Sequence, residues 1–111
     1  MNPWSVPKAH RTGLTAVDAS DPVTNADAID TGESEQCRFD VSLNSGTPTY
    51  PVEVQVLFWN DRLGAYVRGA TASLSELPAS VTAAVRGAKV FCKVITLAGT
   101  APNITIDFAL A

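Results

Sequence analysis

From Cys37 onward, apolar residues recur at every second position in short stretches cut by glycine and proline. Side chains alternate faces with period two only along an extended strand, so this spacing predicts β-structure with one buried face. Cys37, Phe39, Val41 and Leu43 alternate with Arg38, Asp40 and Ser42. Val52, Val54, Val56 and Phe58 alternate with Glu53, Gln55, Leu57 and Trp59. Residues 44–48 read as a turn between these two strands, and residues 60–64 as a hairpin loop leading to a third strand at 65–68. A weaker strand is expected within 70–77, ending before Pro78. Residues 80–85 have a helix-cap serine at one end and Gly87 beyond the other. The β-branched Val81, Thr82 and Val85 nevertheless favour a strand. Strong strands follow at 89–97 and 103–110, with a turn at 98–102. Short strands separated by turns, with no long helical pattern, predict an all-β fold. The expected form is a small antiparallel β-sandwich, jelly-roll or Ig-like, over 36–111.

The first third reads differently. Six acids (Asp18, Asp21, Asp27, Asp30, Glu33 and Glu35) lie between residues 18 and 35 with no Lys or Arg among them. Residues 1–35 are therefore expected to be an extended N-terminal arm followed by an acidic connection, with a short strand near 14–18. Pro3 and Pro7 favour an extended backbone there. Pro3, Trp4, Val6 and Pro7 form a candidate docking arm. The acids lack the spacing of a calcium-binding loop, and a solvated loop is the expected reading.

Apolar residues make up 46% of the 111 and charged residues 17%, against about 25% charged in an ordinary soluble domain. The net charge is −3 and there is no basic stripe, which argues against nucleic acid and against an anionic membrane as partners. No stretch has the roughly 20 apolar residues of a membrane-spanning helix. The opening residues lack the apolar run of a secretory signal, so folding in a cytoplasm with reduced cysteines is expected.

No constellation for catalysis stands out. The single histidine, His10, falls in the arm and is expected to be solvated. No phosphate-binding glycine loop or paired-cysteine zinc motif occurs. The chain is expected to be no enzyme and to carry no metal and no cofactor. Asn103-Ile104-Thr105 matches a glycosylation sequon but reads here as the start of a strand. The order Cys37, Trp59, Cys92 resembles that of immunoglobulin domains, yet Val90 stands where the tyrosine of their corner belongs. Both cysteines read as small buried hydrophobes, with a disulfide as the open alternative.

Two features point to binding. The strand at 89–97 is apolar on both faces: Val90, Cys92 and Val94 on one, Phe91, Ile95 and Leu97 on the other. Either the N-terminal segment or a loop covers the second face, or a second subunit does, making Phe91, Ile95 and Leu97 a candidate oligomer interface. Tyr50, Trp59, Asn60, Asp61 and Tyr66 gather around the expected hairpin. Aromatic platforms beside amide and carboxylate groups suit a glycan or a partner surface.

The stretch 52–111 carries two pieces with a common look. One is Val54-Gln55-Val56-Leu57-Phe58-Trp59-Asn60-Asp61, followed by Gly64-Ala65-Tyr66-Val67. The other runs from Val85 through Lys89-Val90-Phe91-Cys92-Lys93-Val94 to the turn Leu97-Ala98-Gly99-Thr100 and the strand Ile104-Thr105-Ile106. This pattern resembles the small β-sandwich proteins of tailed-bacteriophage virions, of the head-decoration (cement), head-fibre and tail-appendage types. The resemblance covers about the last half of the chain and carries no catalytic residues. It implies a virion structural protein made in the host cytoplasm. Such a protein binds the major capsid protein surface, stabilises the particle and forms a homo-oligomer. The alternative is a carbohydrate-binding or adhesion module, or a tail or fibre component.

Overall fold

The computed structural model describes residues 4–18 and 24–111. Its elements are β1 (Lys8–Leu14), β2 (Gln36–Asn60), β3 (Ala65–Leu74), β4 (Ala79–Ala84) and β5 (Val90–Leu110), with 3-10 turns at Ala16–Asp18 and Asn25–Asp27. Among the described residues there is no α-helix, as the period-two spacing requires. All strand pairs are antiparallel, in the order β1-β5-β2-β3, and β4 pairs with β2.

The two long strands are the main departure from the sequence expectation. Residues 37–43 and 52–59 are two parts of one 25-residue strand, and 89–97 and 103–110 are two parts of one 21-residue strand. The expected turns at 44–48 and 98–102 are instead opposed in register, with Ser45 opposite Asn103, Thr47 opposite Thr100 and Thr49 opposite Ala98. Because both strands break at the same place, they bend together and keep their pairing. Only β2 and β3 form the expected local hairpin; the other ladders join distant segments.

Bulges make the corner. Between Ser45 and Thr47 β5 carries an extra residue, and between Thr49 and Glu53 β2 carries the surplus. Gly46 (φ +82°) and Gly99 (φ +124°) occupy backbone conformations open to glycine. A Cβ on Gly46 would collide with the Ala101 carbonyl, and one on Gly99 with the Thr47 carbonyl.

The corner doubles the sheet over. Phe39 pairs with Phe108 near the start of β2, whereas Phe91 pairs with Leu57 near its end. On a flat ladder these sites would lie roughly 60 Å apart. The molecule's longest extent is 39 Å, and the His10 ring lies 5.7 Å from that of Phe39 and 5.0 Å from that of Phe91. The two halves thus share one core. Cys37, Phe39, Val41, Ile104 and Ile106 come from one half, and Val52, Val54, Val90, Cys92 and Val94 from the other. All of these side chains are fully buried.

The first third is less separate than its composition predicts. Residues 8–14 are β1, paired to the end of β5, so the arm is shorter than expected. The strand expected near 14–18 is a 3-10 turn in which the Asp18 carboxylate accepts hydrogen bonds from the Thr15 amide (2.7 Å) and hydroxyl (3.2 Å). In the acidic connection, Ile29 bridges Val90, and the buried Thr31 donates to the Ala88 carbonyl at 2.7 Å. These two residues tie the segment to the domain because each offers something the start of β5 lacks: a backbone partner and a hydroxyl donor.

Candidate docking surface

The corner places two uncharged stretches side by side. No Asp, Glu, Lys or Arg occurs anywhere in 41–52 or in 94–106. The register joins them, and most residues at 43–51 and 98–101 are exposed. This end of the molecule is therefore a neutral tip of hydroxyls, amides, prolines and small apolar groups. The 3-10 turn lies against it, with Val17 88% exposed. Val17, Ser45, Gly99, Ala101, Pro102 and Asn103 line a shallow cavity of about 470 Å³. Asp18, at the end of that turn, has its carboxylate occupied by Thr15. Charge gathers at the other end, where Glu33, Glu35 and Arg86 line a cavity of about 430 Å³. By strand rise that end lies roughly 30 Å away.

Among the residues singled out from sequence, those of the expected oligomer interface are largely used internally. Phe91 and Leu97 are each 5% exposed and Ile95 is partly buried. The cover over Phe91 is the chain itself: the Arg11 guanidinium stacks 4.9 Å from the ring centroid, and His10 and Tyr66 pack at 5.0 and 6.0 Å. Leu57, its register partner, is fully buried. Phe91 is thus covered from within the chain, and Leu97 belongs to the main core.

His10 corrects a second expectation. It is no solvated tail residue. It is the extra residue of a bulge, since Ala9 pairs with Asp107 and Arg11 with Ile106. A bulge re-aims a side chain, and here the imidazole leaves the ladder to reach the open edge of β5. Its Nε2 accepts the Cys92 N–H at 3.2 Å. Burial, with a contribution from Arg11, lowers its pKa to about 4, so the ring is neutral and able to accept. Cys37 and Cys92 are free buried thiols, each pushed up to about 12 by burial. Neither is a nucleophile at neutral pH.

The expected aromatic cluster is only partly assembled. Trp59 and Tyr66 pair across β2 and β3 edge to face at 5.0 Å, as register partners do. Their polar ends are engaged within the chain. The Trp59 indole N–H donates to Asp61 at 2.7 Å, and the Tyr66 hydroxyl donates to the Thr24 carbonyl at 2.8 Å. Burial raises the pKa of Tyr66, with Asp27 adding to the shift. The Asn60 side-chain oxygen accepts the Leu63 amide at 3.0 Å and shapes the loop. Tyr50 is not part of this group: well back along β2, roughly 30 Å by strand rise, it stands 41% exposed at the corner.

In the docking arm, Trp4 lies under the Arg38 guanidinium at 5.1 Å, and Ser5 exchanges hydrogen bonds with Leu110 at 2.8 and 2.9 Å. Val6 is 80% exposed and Pro7 is exposed. Pro3 lies outside the described residues. Among the described residues no three His, Cys, Asp or Glu side chains gather to hold a metal, and no helix is long and apolar enough to cross a membrane.

Sequence reasoning did not single out the neutral tip or the role of His10. The charge-free runs were readable, but they are remote from each other in the chain and become one surface only through the β2–β5 register. The bulge that aims His10 has no sequence signal.

Compared with known proteins, the chain matches no family model, no curated protein and no solved structure.

Proposed function

We propose that the protein is a non-catalytic structural component that docks on a larger protein assembly through its neutral tip. The reading that fits best is a virion decoration or cement protein bound to the capsid surface. The observation that carries it is the joining of two charge-free runs into one exposed end while charge collects at the other. Depletion of charged residues marks the centre of protein–protein contacts, because unpaired charge is costly to desolvate. A neutral tip also disfavours nucleic acid and anionic lipid, whose affinity comes from cation–phosphate contacts. The β2–β5 pairing continues through the corner and so pre-organises the tip, which lowers the entropy lost on docking.

The test is co-sedimentation. Particles from cultures producing the chain are banded on a density gradient, and the chain is quantified by mass spectrometry. Stoichiometric presence in the banded particles is expected. Thr100→Lys, at an exposed tip position, is expected to release the chain without moving its unfolding midpoint. Absence from banded particles, or full retention of the variant, would overturn the reading.

A further inference from the structure

The free strand edges of the folded sheet are not alike. β1 carries two bulges together with Lys8 and Arg11. The outer edge of β5 is bridged by Ile29 and closed by His10. β3 is interrupted by the register shift between Gln55 and Leu57 and carries Arg68. β4 (Ala79-Ser80-Val81-Thr82-Ala83-Ala84) has no charge, no proline and no bulge, and its pairs with β2 run without a shift. Soluble proteins blunt exposed edges with such devices because an unguarded edge recruits another strand. Among the described residues the core is also unfinished beside β4. A cleft of about 260 Å³ opens between β3 and β4, lined by Val56, Phe58, Ala72, Val81 and Ala83. Of these, all but Val56 are only partly buried although they pack against the core.

We infer that β4 is a self-association edge, where a second copy of this chain pairs antiparallel about a two-fold axis through Val81. The strand's own sequence argues for that occupant. Ala79, Val81 and Ala83 share the core face with their β2 partners Val41, Phe39 and Cys37, and Ser80 and Thr82 share the outer face with Asp40 and Arg38. A two-fold axis perpendicular to the sheet at Val81 sets Val81 against its copy and Ala79 against Ala83. On the outer face it sets Ser80 against Thr82. Within 79–83 every pair joins like with like, small apolar groups on the core side and hydroxyls on the outer side, and Ala84 falls opposite Pro78 at the end of the ladder. Such cross-strand pairs are favourable, and a two-fold contact must be self-complementary in this way. No like charges oppose, since Arg38 and Asp40 on the next strand pair with each other at 2.8 Å. The pairing extends the sheet across the axis and brings the two unfinished clefts together, so Val81 and Ala83 gain the cover that one copy lacks.

Sedimentation velocity on the full chain from low to high micromolar concentration tests this. The expected species has twice the 11.7 kDa chain mass. Thr82 and Ala84 are exposed, so Thr82→Lys and Ala84→Lys spare the fold, which circular dichroism and the unfolding midpoint check. Each is expected to raise the dimer dissociation constant by about tenfold or more, because a lysine on the edge opposes strand addition. A parent chain that is monomeric throughout would overturn the inference. So would a dimer that both variants leave intact, or one that only Thr100→Lys at the tip disrupts. The last outcome would place self-association on the docking surface and leave β4 idle.

Discussion

The two long sides of the doubled sheet solve the same problem differently. On the β1–β5 side the core is sealed by bulged His10, by Arg11 stacked on Phe91 and by the Ile29 bridge. On the β3–β4 side nothing among the described residues does this work, and Phe58 and Val81 remain partly open. The contrast shows that burial in one fold can be completed from within on one side and left incomplete on the other. What separates them is segment supply. The chain before β2 is long enough to wrap the first side, whereas the short link from Leu74 to Ala79 between β3 and β4 allows only a crossing.

The largest expected effect breaks the sealed side. Phe91→Ala should destabilise the monomer by about 3–4 kcal/mol, as deletion of a buried aromatic does. Phe58→Ala on the open side should cost about half as much, because solvent already reaches that ring. Urea unfolding at dilute concentration measures both, and equal costs would abolish the distinction between the sides.

Acid sharpens the comparison next. The unfolded chain takes up a proton on His10 near pH 6.5 and the folded chain only near pH 4. Stability from neutral His10 is therefore complete above pH 6.5 and lost as pH falls toward 4. The loss amounts to about 3 kcal/mol. His10→Gln, which cannot titrate, should flatten that part of the stability–pH curve. An unchanged slope would remove His10 from the seal.

The smallest effect is local. Amide exchange at Cys92, an edge position held by His10, should be slow in dilute protein. In the dilute monomer the outward amides of β4 should exchange quickly and become protected as concentration rises. Protection of β4 independent of concentration would mean that the edge is already closed within one chain.

Much of the strand content was legible, because period-two alternation leaves few other structures for residues 37–43, 52–59 and 103–110. The hairpin at 60–64 was legible for the same reason, its turn residues being local; Gly64 N–H closes it on the Asn60 carbonyl at 2.9 Å. The strand expected at 80–85 from Val81, Thr82 and Val85 lies at Ala79–Ala84, one residue earlier. The binding residues were less accessible. Phe91 and Leu97 announce an apolar second face, but whether the chain's own segment or another subunit covers it depends on where residues 10 and 11 travel. Tyr50 and Trp59 look like neighbours in a list of aromatics, yet an extended backbone carries them far apart.

By itself the sequence determined the local backbone: which segments are strands, which face of each is apolar, and where glycine and proline interrupt them. It also determined the uneven placement of charge. Only the tertiary structure decided that the two interruptions oppose each other and become a corner instead of two turns. That same register merges the neutral runs into a tip and lets His10 close an edge, while β4 pairs only with β2 among the described residues. The reason is range. Alternation and turn chemistry act over a few residues, whereas register between β2 and β5 is set by packing across the whole core.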